Sequence, residues 1–330
     1  MSSKSFWSVF APHISDFIGL KRSLGYKYEE EERTLYAFDQ FILDQGYTRL
    51  GLTKEISDHW ADRRHNEAEL TIYSKVMVVK HLAEYLRDQG IETYVPQLPK
   101  YPESTFIPYI YTKEEINGIF RACDSLRMKC RNVYSCLLIM PCLVRLLYGT
   151  GIRISEALSL KNKDVNISGK CLTLKDTKNG IDRLVPMSSS LAVVCGDYLE
   201  SRSNLPVSGI NRENGPFFVS LNGGVCKHSG IHRWFRRVLE IAGIPFTGNR
   251  KGPRIHDIRH TFACHSFLKL SDEGVNLYCS WPYLSTYLGH RSLESTEQYI
   301  RLTSQMYPEL LKDTDGLYVD ILPVIPAKIK

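Results

Sequence analysis

The sequence predicts a mainly α-helical protein in two parts: a small all-helical N-terminal domain, then a larger, mainly helical domain bearing a small antiparallel sheet. Three observations predict this. Apolar residues recur at helical spacing through the N-terminal third. Pro96, Pro99, Pro102 and Pro108 then interrupt every periodicity. Helical patterning resumes beyond them but breaks across residues 170–187, where strand-like patterning surrounds the hairpin-turn pair Asn179-Gly180. A length of 330 residues exceeds the roughly 100–200 of a typical domain, which fits one small and one larger unit.

Each element has its own signal. Leu35, Phe38, Phe41 and Ile42 share one helical face, and Glu29, Glu30, Glu31 and Glu32 stand at its start, where carboxylates favour the positive end of the helix dipole. That role suits the acids better than metal binding. Ile72, Val76, Val79, Ala83 and Leu86 mark a second helix that stops at Gly90. Residues 97–109 read as an extended linker. Thr112 and Glu115 form a capping box that starts the next helix. An apolar helical stretch covers residues 133–148, kinked or divided by Pro141. Phe217-Phe218-Val219 reads as a short strand, and the remainder as helices. No internal repeat or low-complexity tract is visible.

A formal charge of +6 permits a polyanionic partner without requiring one. Its distribution says more. Arg233, Arg236, Arg237, Arg250, Lys251 and Arg254 lie close in sequence against only Glu240 and Asp257, and they are the candidate contacts for such a partner. Nine scattered cysteines with no Cys-x-x-Cys pair point away from a disulfide framework and a zinc knuckle, and towards a reducing cytosol. The first residues lack a signal-peptide apolar region, and no apolar run approaches the roughly 18 residues of a membrane span. A soluble intracellular protein is expected.

The chemistry is carried by an ordered set of short contexts: Gly149-Thr150-Gly151-Ile152-Arg153-Ile154-Ser155-Glu156, then Thr177-Lys178-Asn179-Gly180, then His256-Asp257-Ile258-Arg259-His260, then Tyr287-Leu288-Gly289-His290, and finally Tyr299. A phosphodiester in transfer concentrates negative charge on its non-bridging oxygens, for which fixed guanidinium groups are suitable partners. Arg153 follows a glycine turn that ends one helix and starts the next. Taken alone, it could equally pair with Glu156 on a helix surface. His256 and Arg259, three apart, can reach one phosphate from one helical face. His260 and Cys264 extend that face and raise a His-x-x-x-His metal site, which lacks the Glu of a zinc protease motif. Lys178 and Lys175 both suit a general acid whose pKa falls near other cations. Tyr299 is one of nineteen tyrosines and, with a reference pKa of about 10, needs neighbouring cations to become a nucleophile.

As an ordered set these residues resemble the tyrosine recombinase family, which includes phage integrases, chromosome dimer resolvases and transposon recombinases. The resemblance is detailed over residues 112–301 and only architectural before them. It implies a helical, SAM-like core-binding domain at residues 1–96, a linker at 97–109 and a mixed α/β catalytic domain with a C-terminal tail at 110–330, the two domains closing around duplex DNA. It makes Arg153, Lys178, His256, Arg259, His290 and Tyr299 catalytic and Glu156 supporting. Counting back from Arg183 favours Lys178 over Lys175, and the nine-residue offset from His290 favours Tyr299 over Tyr283, Tyr287 and Tyr307.

The resemblance further implies cleavage and rejoining through a 3′-phosphotyrosine and a Holliday junction, with no metal and no cofactor. The implied partners are double-stranded DNA carrying core recombination sites and further copies of the chain. The family acts as a homotetramer on synapsed DNA and as a monomer or weak oligomer when free, sometimes with accessory recombination proteins and never a membrane. The expected setting is the prokaryotic cytoplasm, at the nucleoid when bound. The insertion between His256 and His290 looks more like that of transposon recombinases. An N-terminal region too short for an additional arm-binding domain favours simple inverted-repeat core sites. Residues 317–322 form an apolar run that either folds back on its own domain or passes to a neighbour. A type IB topoisomerase-like enzyme and a DNA-binding regulator without catalysis are the alternative readings.

Overall fold

The computed structural model describes residues 5–62, 67–102, 107–128, 132–175, 182–246, 248, 252–275 and 277–289. The chain divides into two compact units, Met1–Phe106 and Ile107–Lys330.

Four helices build the first unit: α1 (Ala11–Ser23), α2 (Glu29–Asp44), α3 (Lys54–Ala61) and α4 (Glu69–Asp88). All four acids of the 29–32 cluster fall in the first turn of α2, where the free N–H groups and the dipole favour them. The core joins Phe10, Ile14 and Phe17 to Leu35, Phe38 and Ile42, Trp60, and Val79, Leu82 and Leu86. One buried acid is satisfied inside it. Asp39 accepts the backbone N–H groups of Trp7 and Ser8, each at 2.9 Å, and so fixes the chain's entry into α1.

The second unit contains α5 (Lys113–Asp124), α6 (Met140–Thr150), α7 (Ile154–Ser159), β1 (Val165–Asn166), β2 (Cys171–Leu174), β3 (Arg183–Pro186), α8 (Ser189–Ser203), α9 (His228–Ile241), α10 (Asp257–Asp272) and α11 (Leu277–Leu288). Thr112 caps α5 through Glu115 N–H, and Glu115 returns the bond to Thr112 N–H. Helix α6 is the spine: Met140, Leu143, Val144 and Leu147 are buried, and α5, α8 and α10 pack on it. The sheet is antiparallel in the order β1-β2-β3, with Leu174 opposite Arg183 and Cys171 opposite Pro186. The Asn179-Gly180 pair between those strands lies outside the described residues.

Two expectations are corrected. The stretch 133–148 is helical only from Leu137, as a short 3-10 turn leading into α6, and Pro141 sits in the first turn of α6 rather than kinking its middle. A first-turn proline sacrifices no intrahelical bond. The residues before it are diverted, because Val133 and Ser135 carbonyls accept the N–H groups of Asn222 and Leu221. Phe217-Phe218-Val219 is not a strand. Only isolated bridges flank it, Lys161 with Pro216 and Val219 with Val225, and Phe217 and Phe218 are both buried around Tyr198 instead of alternating between two faces as strand residues would.

Candidate active site

The site begins where α6 ends. Gly151 takes a left-handed conformation, φ +61°, and its N–H caps the Leu147 carbonyl. A Cβ there would overlap the Phe262 ring of α10. Glycine is thus required twice, by backbone angle and by space. The turn delivers Arg153 to the N-cap position of α7.

Glu156, three residues on, organises the next layer. Its carboxylate accepts the Arg153 backbone N–H at 2.8 Å and the Arg153 guanidinium at 2.9 Å. The same two oxygens accept both terminal nitrogens of Arg183 from β3, at 2.9 and 3.2 Å. Glu156 is only 5 % exposed. Burial by itself would push its pKa up, but the Arg183 hydrogen bonds, the Arg153 N–H and the two positive charges hold it below the ordinary carboxylate value. It is therefore an anion that orients two cations.

Arg259 comes from the first turn of α10 and is 3 % exposed. It donates to the Gly151 carbonyl at 2.7 Å and to the Leu288 carbonyl at 2.8 Å. Arg183 meanwhile donates through Nε to the adjacent Tyr287 carbonyl at 3.1 Å. Two guanidinium groups thus hold consecutive carbonyls at the end of α11, where acceptors have no intrahelical partner. Leu288 itself is seated with Ala263, Cys264, Phe267 and Leu284. Gly289 follows at φ +67°, and a Cβ on it would lie 2.9 Å from the Arg183 guanidinium.

His256 immediately precedes α10 and keeps solvent exposure. Crowding by surrounding protein, then the charge of Arg259 with smaller contributions from Arg254 and Arg153, lowers its pKa, with Asp257 opposing. The lowered pKa favours the neutral imidazole, the form that can accept a proton. Asp257 is buried and holds Arg254 through its backbone N–H and guanidinium, at 2.8 and 2.9 Å. His260 stacks edge-on against His256, with centroids 5.1 Å apart, while Cys264 is sealed in the apolar cluster below. Among the described residues no group of three His, Cys, Asp or Glu side chains could hold a metal ion.

The structure therefore gathers Arg153, Glu156, His256 and Arg259 and adds Arg183, which the sequence reading did not assign to the site. Lys178, His290, Tyr299, Arg250 and Lys251 lie outside the described residues, as does the 317–322 tail. Lys175, at the end of β2, lines a small cavity of about 240 Å³ with Glu156, Lys161 and Lys163. Arg233, Arg236 and Arg237 are on the exposed side of α9, opposite its buried Ile231, Phe235, Val238 and Leu239. Arg236 covers the Phe246 ring at 4.7 Å and Arg237 pairs with Glu240. Arg233 and Arg237 also line a groove with Trp234, Ser125, Leu126 and Arg127. Tyr287 is half-buried and stacked on Phe262, and its removal from water pushes its phenol up to about 12 despite Arg183 and Arg259.

The Phage integrase family model matches residues 110–306. A Sinorhizobium fredii protein described as an integrase/recombinase is 32 % identical over 95 % of this chain and 99 % of its own length. Tyrosine recombinase XerA of Thermococcus kodakarensis is 30 % identical over 69 % of this chain and 70 % of its own length. Among solved structures, the Tn1549 transposon integrase in complex with transposon right end DNA superposes with a TM-score of 0.61 at 16 % identity, covering 90 % of this chain and 98 % of that one. This chain belongs to the phage integrase family. It is a tyrosine recombinase, an enzyme of DNA strand cleavage and rejoining in site-specific recombination.

Proposed function

We propose that the chain recombines the ends of a mobile genetic element through a 3′-phosphotyrosine intermediate formed on Tyr299. The observation that supports this most is the joint placement of Arg153 and Arg259. Arg259, from α10, grips the carbonyl of Gly151, two residues before Arg153, so both cations are tied to one turn. Such preorganised charge stabilises the five-coordinate phosphorus without reorganising during reaction.

In this reading the Tyr299 oxygen attacks the scissile phosphorus and gives its proton to His256. The bond from phosphorus to the 5′ oxygen breaks, and Lys178 protonates that leaving oxygen. Arg153, Arg259 and His290 bear on the non-bridging oxygens. The phosphotyrosine retains the bond energy, so a 5′ hydroxyl from the second duplex reverses the step without ATP, and the strands pass through a Holliday junction. The substrate is double-stranded DNA with inverted-repeat core sites, acted on by a homotetramer that is a monomer or weak oligomer when free. Residues 1–96 are the core-binding domain, joined by the linker 97–109 to the catalytic domain, and Arg233, Arg236, Arg237, Arg250, Lys251 and Arg254 are DNA contacts. Accessory proteins and a prokaryotic cytoplasmic setting belong to the same proposal. No described helix is long and apolar enough to cross a membrane.

The test uses the DNA that flanks the gene. Two labelled duplexes carrying its inverted repeats should exchange strands with purified protein, without ATP, at those repeats alone. Relaxation of any supercoiled plasmid with no exchange would support a type IB topoisomerase instead. Binding with neither outcome would support a regulator.

A further inference from the structure

Arg183 stands on β3, yet its guanidinium is shared between two other parts of the site. Two nitrogens meet the Glu156 carboxylate, which in turn holds the Arg153 side chain and backbone. Its Nε meets the Tyr287 carbonyl, adjacent to the Leu288 carbonyl that Arg259 holds. The side chain is 10 % exposed, so it is committed to these partners and not to solvent. Arg183 is also the first residue of β3, opposite Leu174 at the end of β2, and Lys178 lies in the sequence between those two strands.

We propose that Arg183 is a positioning residue for strand cleavage: through Glu156 it fixes the Arg153 guanidinium against the scissile phosphate, and through Tyr287 it fixes the end of α11 ahead of His290. The role follows from shape. A guanidinium is a planar fork whose donors diverge at fixed angles. It can satisfy both carboxylate oxygens on one edge and a carbonyl on another. A lysine ammonium retains the charge but has no such fixed fork. With Arg183 gone, Glu156 loses a two-point partner and turns its full charge on Arg153, which is then drawn away from phosphate. Gly289 fits the same account, because any side chain there would push into the Arg183 guanidinium.

This inference rests on the assignment of Arg153 to the phosphate, and its test separates the two. The full-length chain is given nicked suicide duplexes of its core site in two forms, one with an ordinary scissile phosphodiester and one with a methylphosphonate there. The methylphosphonate carries no charged non-bridging oxygen and so makes less demand on a precisely held cation. Wild type should form the covalent adduct on the phosphodiester. Arg183→Lys and Arg183→Met should bind the duplex as wild type does but cleave the phosphodiester about a hundredfold more slowly, the scale set by small misplacements of a catalytic group. On the methylphosphonate the deficit should shrink to about threefold, as it should for Arg153→Ala.

Arg183→Lys keeps the buried charge balanced and carries the test if Arg183→Met unfolds. An equal deficit on both substrates would mark a merely structural residue and overturn the proposal, as would undiminished cleavage of the phosphodiester. If wild type forms no adduct, the reading of the site fails and takes this inference with it.

Discussion

The buried guanidinium of Arg259 donates a 2.7 Å hydrogen bond to the carbonyl of Gly151, 108 residues earlier in the chain. Gly151 has a left-handed backbone and no room for a side chain beside Phe262. The bond therefore depends on a residue with no side chain at all. Gly151→Ala should destabilise the second unit by about 2–4 kcal/mol, combining left-handed strain with overpacking. Thermal and denaturant unfolding would measure this. An unfolding midpoint equal to wild type would show that Phe262 yields freely and that the turn is not the fixed support described.

Glu156 gives a pH signature. Its folded pKa lies below its unfolded one, because the Arg183 and Arg153 bonds outweigh burial. Between those two values the unfolded chain binds the proton and the folded chain does not, so stability rises with pH through that window. The contribution is fully present above about pH 4.3, the reference glutamate value, and is lost as pH falls through the lower folded pKa. Glu156→Gln should remove this portion of the acid dependence. Equilibrium unfolding from acid to neutral pH should show the two proteins furthest apart at neutrality and converging on acidification; a constant gap would contradict the pairing.

Lys178 and Lys175 are separated by the leaving group. Lys178→Ala should slow cleavage by about 10²–10⁴, the usual range for a general acid, and a 5′-bridging sulfur, which leaves without much protonation, should restore most of that loss. Lys175→Ala should change little with either substrate. Sulfur rescue of Lys175→Ala but not of Lys178→Ala would exchange their roles.

Local chemistry was legible in the sequence where its cause is local. The Thr112–Glu115 box, the acid cluster at the start of α2, the helix break at Gly151 and the placement of Arg153 at the start of the next helix all arise within three or four residues, and each appears in the fold. Arg183 was not legible as a site residue. Its partners are 27 and 104 positions away, and its strand context reads as ordinary sheet edge. Arg153 next to Glu156 also looks like a surface helix pair until the second arginine arrives. Residues 133–136 misled for a related reason: the Val133 and Ser135 carbonyls bind the distant 221–222 backbone, tertiary bonds no helical period records. Phe217 and Phe218 carry strand-like apolarity, but both side chains go into one core.

The central claim is that Tyr299 becomes covalently joined to the 3′ end of cleaved DNA. A nicked suicide duplex of the core site, incubated with the chain in EDTA and resolved under denaturing conditions, should yield a protein–DNA adduct whose linked peptide contains Tyr299. Tyr299→Phe should yield none, since it removes only the attacking oxygen. An adduct that persists in Tyr299→Phe, that maps to another tyrosine, or that requires an added metal ion would contradict the account.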